Sequence, residues 1–339
     1  MSVEAGDKAF WETKNASFSA ATPDCDLLHP QFTQRNPSSS LTETHFFGFS
    51  VPEENIHAIT YLWHHPNLGV VSGGASVWQG IKSHPLASEL FNWTSFAGED
   101  MLANDLWDYR FDNGYHVQTL EPLKRHRLRY VDHARDNAFD VETEALMEPA
   151  LLATGLHFEQ AMRVRGELTL RGKTYQVDCT HVRDRSWGQG RSEMHAPMPP
   201  ITWTTGVFGD TLMFGCLAHD HPDLNPDWKG RLEIPGGDPT KGGWVYRNGT
   251  LVPIVATRNR VQRDYATLAP VTADIVMTDA TGHDYALHGE VVAANRLPAW
   301  LNVDTWICLA RWEYHGQICY GELQQMQWHD YIRQFLGGR

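Results

Sequence analysis

The feature that most constrains this chain is a recurring hairpin pattern: short runs of alternating polar and apolar residues joined by tight Gly, Asn or Asp turns. Leu168-Thr169-Leu170 leads through Arg171-Gly172-Lys173 into Thr174–His181, where the alternation has period two. Such a run lays one face on a core and the other toward water, as a half-buried strand does. The layout recurs in His57–Trp63 and Val70–Trp78 around Pro66-Asn67-Leu68-Gly69, and in Ala273–Met277 and Asp284–Val292 around Asp279-Ala280-Thr281-Gly282. It recurs again in Trp306–Tyr314 and Gln317–Leu323 around His315-Gly316. Tyr246 and Leu251 flank Arg247-Asn248-Gly249, whose Asn-Gly step is the strongest short hairpin signal. The expected fold is all-β, a sandwich or barrel. Helical candidates are short: Pro85–Trp93, Asp100–Trp107, and a C-terminal stretch with Trp328, Ile332 and Phe335 on one face. No βαβ alternation, G-x-G-x-x-G, P-loop, G-x-S-x-G or H-E-x-x-H is present.

With 339 residues, 42% of them hydrophobic, the chain can bury a sizeable core, which excludes a disordered or fibrous class. Two domains are expected, 1–155 and 156–339, divided near the Pro149 to Gly155 stretch where a fresh run of strands begins. Charged residues make up 20%, yet there are 13 Trp, 11 Tyr and 14 Phe. The net charge of −13 opposes a phosphate backbone and an anionic membrane surface, so nucleic acid is not an expected partner. The five cysteines (Cys25, Cys179, Cys216, Cys308, Cys319) form no C-x-x-C and read as reduced, buried hydrophobes. Met1–Phe10 lacks the basic and apolar regions of a signal peptide, and no run approaches the ~18 apolar residues of a span. The expected location is cytoplasmic. Asn-x-Ser/Thr matches at Asn15, Asn92 and Asn248 then carry no weight.

The densest chemical cluster is His181-Val182-Arg183-Asp184-Arg185-Ser186-Trp187-Gly188-Gln189-Gly190, at the end of the well-patterned strand. Polar groups at a strand end are commonly displayed to a ligand. Two flanking guanidiniums favour an ionised Asp184, and burial favours a protonated one that donates; the residues alone leave both open. The structural alternative is an Arg–Asp–Arg network closing a barrel end, with Trp187 as a core plug. Strand parity sets a condition. Tyr175, Val177, Cys179, His181 and Arg183 share one face, so Asp184 joins His181 only through a bulge near Arg183.

The stretch from His157-Phe158-Glu159-Gln160 through Val164-Arg165-Gly166-Glu167-Leu168 to Arg183-Asp184-Arg185-Ser186-Trp187-Gly188 resembles the second-domain signature of the lipocalin-like double-barrel superfamily. That group includes the carotenoid 1,2-hydratase (hydroxyneurosporene synthase) family, the AttH-like proteins and fungal Diels–Alderases. Ile318-Cys319-Tyr320-Gly321-Glu322-Leu323 resembles their Gly-Tyr-x-Glu-Leu strand. The match covers mainly residues 157–190 and 315–325. The resemblance implies two tandem lipocalin-like units, a hydrophobic pocket, and cofactor-free acid/base or pericyclic chemistry on polyene- or terpenoid-like substrates. Asp184 matches the hydratase Asp, but Val182 stands where that pattern has Tyr, so the substrate or proton partner differs. His181 and Tyr320 are the candidate substitutes.

Protonating an alkene or ionising an allylic alcohol makes a carbocation, which needs one tuned acid and aromatic faces around the charge. Asp184 is the expected acid/base, with His181 and Arg183 tuning or orienting it. Trp187, Trp203, Tyr320, Trp63, Trp306 and Trp312, with Trp78, are the candidate walls; for any one Trp, plain core packing is the competing role. Two further histidine pairs have metal-like spacing. His64-His65 are adjacent, and His219-Asp220-His221 has metal-ligand spacing but reads as a polar loop, so no metal or organic cofactor is expected. His195 sits on a Pro-rich loop suited to a lid, and Glu322 reads as a paired structural group. The expected function is a hydratase/dehydratase, cyclase or isomerase of a lipophilic small molecule. The alternatives are a carrier of such a molecule or a metal-dependent hydrolase or oxygenase.

Overall fold

The computed structural model describes residues 17–35, 37–190, 198–225, 228, 230–234, 236–300 and 302–336. His195 lies outside them. The chain divides into two compact units, one on Phe18–Gln79 and Leu86–Arg191, the other on Gly80–Pro85 and Ser192–Arg339. The boundary expected at 155/156 therefore falls inside the first unit. The two strands after it complete the first sheet instead of opening the second.

The first unit carries β1 (Phe18–Ser19), α1 (Gln31–Arg35), β2 (Leu41–Val51), β3 (Ile56–His65), β4 (Val70–Gln79), β5 (Leu90–Gly98) and β6 (Asp108–Arg110). It continues through β7 (His116–Glu121), β8 (Arg125–Asp132), β9 (Asn137–Ala145), β10 (Ala150–Leu152), β11 (His157–Leu170) and β12 (Lys173–Gly190). The main path is an antiparallel sheet in the order β5-β4-β3-β2-β12-β11-β9-β8-β7-β6, which curls into a half-barrel. Its inner face buries Phe47, Phe49, Val51, Ala58, Leu62, Val77, Leu128 and Val141 around Tyr109, Tyr115 and Tyr130. β2 and β3 contribute every second residue to that core, as the pleat requires.

The second unit is a closed eight-stranded antiparallel barrel of β13 (Ile201–Val207), β14 (Met213–His219), β15 (Thr240–Arg247), β16 (Thr250–Arg263), β17 (Pro270–Asp279), β18 (Asp284–Trp300), β19 (Val303–Tyr314) and β20 (Gln317–Trp328). Closure leaves no unpaired sheet edge. Helix α2 (His329–Leu336) follows, where the C-terminal periodicity places one. The other two helical candidates differ: Pro85–Trp93 is one 3-10 turn and the start of β5, and Asp100–Trp107 lies across a 3-10 turn and further turns. Among the described residues, no helix is long and apolar enough to cross a membrane.

Candidate functional site

β12 carries the whole His181–Gly190 cluster and shows two different faces. β11 and β12 pair without a register shift from Leu170/Lys173 to His157/Ser186, so there is no bulge at Arg183 on that side. Arg183 and Arg185 turn inward and are 1% and 0% exposed. Arg183 Nη1 and Nη2 donate to Asp26 Oδ1 and Oδ2 at 2.7 and 3.1 Å, and its Nε and Nη2 donate to Gln160 Oε1 at 3.0 and 2.8 Å. Arg185 Nη2 donates to Glu43 Oε2 at 3.1 Å, and its Nη1 to the Thr44 carbonyl at 2.9 Å. The arginines are held by the carboxylates of Asp26 and Glu43, and Arg183 lies on the opposite face of β12 from Asp184.

This inner cluster also holds His126 Nε2, 3.2 Å from Asp26 Oδ2, and His45, whose ring meets His126 edge-on at 5.8 Å. Burial alone would raise the Asp26 carboxyl; Arg183 and His126 overcome it and hold the group well below the usual carboxylate range. Burial, then the arginines, keep His45 and His126 below the ordinary histidine value, hence neutral. One carboxylate and two neutral imidazoles with ligand atoms within 4.8 Å of one another are a metal-like set. Yet Asp26 Oδ2 already accepts from Arg183 and from Leu123 N at 2.5 Å, and Oδ1 from Arg183. The two arginines balance Asp26 and Glu43, so a divalent ion would add uncompensated buried charge. We read this cluster as a brace for β12, not a metal centre.

The opposite face is built differently. Residues directly paired across antiparallel strands put their side chains on the same side. One such row runs Glu159, Asp184, Phe46, Tyr61, Gly74, Trp93 across β11, β12, β2, β3, β4 and β5. Phe46 and Tyr61 meet edge-on at 5.8 Å. Tyr61 and Trp93 approach to 6.2 Å across Gly74, where a Cβ would strike the Asn92 carbonyl. The neighbouring row holds Ser186, Thr44 and Trp63, with the two hydroxyls 2.7 Å apart. Asp184, Tyr61 and Trp63 thus share this face; Asp184 and Trp63 are part-buried.

His181 joins them by a route that parity does not foresee. The β2–β12 ladder ends at Phe46/Asp184, and farther along β2 the Ser50 N–H donates to Cys179 Sγ at 3.3 Å. In that seam the His181 ring lies 5.8 Å from Phe46 and stacks 6.0 Å from His57. It fits because residue 48 is glycine: a Cβ there would fall on the His181 imidazole and stand 2.9 Å from the Ala58 carbonyl. Asp184 and His181 therefore reach one face without the expected bulge.

The remaining aromatic candidates separate. Trp187 is 2% exposed, stacked on His29 at 4.2 Å with Phe158 beside it, so it fills the small core under the N-terminal segment. Trp306 and Trp312 lie in the packed interior of the second unit's barrel. There they serve as core, which corrects their expected role as pocket walls. Trp203 (β13) and Tyr320 (β20) belong to the same unit, opposite Gln324 and Arg311. His219 Nδ1 faces the Pro199 and Pro200 carbonyls at 3.0 and 3.2 Å, and burial brings the imidazole down to about 4. Among the described residues, neither His219 nor His221 belongs to a set of three metal ligands. A cavity of about 420 Å³ in the first unit is lined by Phe91, Arg135, Asn137 and Arg171 among others, and includes no expected site residue.

Sequence reasoning missed Asp26, Glu43, His45 and His126, which carry no local motif, and the Phe46–Tyr61–Trp93 row. Gln160 lies in the His157–Gln160 stretch, and adjacent glycines such as Gly73-Gly74 within a strand are a signal of close backbone approach.

Residues 26–330 match the model of a family described as a domain of unknown function, DUF7064. The chain belongs to this family. Its fold is shared with three solved structures of low sequence identity. An AttH protein from Nitrosomonas europaea has 12% identity and a TM-score of 0.55 over 93% of this chain and 99% of its own. Kievitone hydratase from Nectria haematococca has 12% identity and a TM-score of 0.52 over 96% and 100%. CghA has 10% identity and a TM-score of 0.55 over 95% and 96%. No curated protein matches the chain.

Proposed function

We propose that this DUF7064 protein is a cofactor-free acid/base enzyme acting at a C=C or C–O bond of a lipophilic substrate, as a hydratase/dehydratase, cyclase or isomerase. The observation that carries the reading is the single face that holds Asp184 beside Phe46 and, farther along the same row, Tyr61 and Trp93, with His181 in the adjoining seam. In the forward direction of a hydration, the Asp184 carboxyl gives its proton to an alkene carbon. The ring faces stabilise the positive charge that develops. Water then attacks the cationic carbon, and its proton returns to the carboxylate directly or by way of His181. Dehydration is the same path reversed. Arg183 acts at a distance, by fixing the strand that presents Asp184. The fold shared with kievitone hydratase supports a hydratase-type reaction on a greasy molecule, although the Val182 position argues for a different proton partner than in the carotenoid hydratases.

The test is the variant Asp184→Asn, assayed beside the wild type on a panel of lipophilic alkenes and alcohols. Loss of turnover of 10²-fold or more, with unchanged circular dichroism, supports the role. Full activity removes Asp184 from the mechanism. A ligand that binds and is recovered unchanged from both proteins would make this chain a carrier.

A further inference from the structure

The segment Pro23–His29 crosses the inner cluster, and among the described residues few of its hydrogen bonds to the sheet are of the backbone-to-backbone kind. Its internal bonds are those of one 3-10 turn, Cys25 N to Thr22 O and Leu27 N to Asp24 O. The ties outward run mainly through side chains: Asp26 to Arg183 and Leu123 N, the Leu27 carbonyl to Arg185, Leu28 N to Asp105 Oδ1 at 2.7 Å, and His29 N to Glu43 Oε1 at 2.9 Å. The His29 ring then lies flat on Trp187. We propose that residues 23–29 are an acid-released strap, latched to β12 and β2 by buried charges and opened when His45 and His126 take up protons.

The charge inventory around the latch is closed at neutral pH. Asp26 comes from the strap, Glu43 and His45 from β2, Tyr109 from β6, His126 from β8, and Arg183 and Arg185 from β12; His29 faces Glu43 at 3.5 Å. Two guanidiniums balance two carboxylates. Burial holds Tyr109 as the phenol, well above its ordinary range, so it supplies no compensating charge. Each proton added to His45 or His126 puts a further positive charge beside Arg183, where no additional carboxylate stands among these groups.

The sign follows from linkage. Both imidazoles are kept neutral while the strap is closed, and regain an ordinary value of about 6.5 once water reaches them. The open form therefore binds more protons as pH falls below that value, and each pH unit favours opening by up to about tenfold per histidine. For two histidines between pH 6.5 and 5 the open population rises by up to about 250-fold. Asp26, held low when closed, adds an effect of the same sign, below its ordinary value of about 3.9.

Hydrogen exchange on the full chain at pH 7 and pH 5, corrected for intrinsic exchange, reads this directly. The expected result is that peptides spanning 22–30 lose at least tenfold protection at pH 5 while β11 and β12 keep theirs. The double variant His45→Gln/His126→Gln is expected to show protection that no longer depends on pH. If that variant does not fold, the single variant His45→Gln should halve the logarithmic pH dependence. Unchanged protection of 22–30 in the wild type between pH 7 and 5 overturns the proposal. So does loss of protection in the strap and in β11–β12 together, and so does full pH dependence in a folded variant.

Discussion

Replacing Arg183 by Met tests the brace beneath the signature strand. The substitution removes a guanidinium that is 1% exposed and leaves Asp26, 0% exposed, without its bidentate partner. Breaking a buried pair from one side typically costs about 3–5 kcal/mol, mostly from the charge left behind. Gln160 Oε1 loses its donor as well. For a unit of this size, about 2–4 °C accompanies each kcal/mol, so the first unit's thermal transition should fall by about 6–20 °C. Melting followed by circular dichroism and tryptophan fluorescence reads the shift, and the transition of the second barrel serves as an internal control. Relative to the single variant, the double variant Asp26→Leu/Arg183→Met replaces the unpaired buried carboxylate by neutral groups that lose it, the Leu123 N–H and His126 Nε2, which costs less than a buried unpaired charge. It should therefore melt above the single variant. A single variant within about 1 kcal/mol of wild type, or a double variant less stable than the single, would refute the view that this pair is desolvated and charge-balanced.

Three further outcomes are expected. Gly48→Ala puts a methyl on the His181 imidazole and close to the Ala58 carbonyl, so urea unfolding should show a loss of about 1–3 kcal/mol, which His181→Ala relieves only in part. Trp187→Ala removes a fully packed ring and its stack on His29; a loss of about 3–5 kcal/mol is expected, and a surface-like loss below about 1 would contradict its placement. In the second barrel, burial would raise the Asp279 carboxyl, but bonds from Thr281, His283 N and Tyr285 bring it down to about 2. Its contribution is present above its ordinary value of about 3.9 and is lost as pH falls toward 2, so Asp279→Asn should flatten the acid limb of that unit's stability.

The hairpins were legible because period-two alternation and an Asn-Gly or Gly turn are local signals, and the β11–β12, β15–β16, β17–β18 and β19–β20 pairs stand where those signals put them. What lies across long sequence distances was not. Arg183 and Asp26 are 157 residues apart, and no spacing rule links them. Parity correctly set Asp184 apart from Arg183, yet it misplaced His181, because the side chain turns through a seam that exists only where β12 leaves β2 over Gly48. The tryptophans divide for a related reason. Alternation along β19 shows that Trp306 and Trp312 share a face, but only barrel closure makes that face the core. The domain boundary moved for the same cause: the turn signals near Pro149–Gly155 are real, but β11 and β12 belong to the sheet that precedes them.

The central claim is that Asp184 supplies the reacting proton on the aromatic face. Its most direct measurement is mass spectrometry of lipophilic alkenes and alcohols incubated with wild type and with Asp184→Asn in water and in deuterium oxide. The account predicts products of wild type displaced by one water, or isomers carrying one solvent deuterium at carbon, and none from the variant. Equal product from both proteins, or ligand returned unchanged by a wild type that binds it, would contradict the claim.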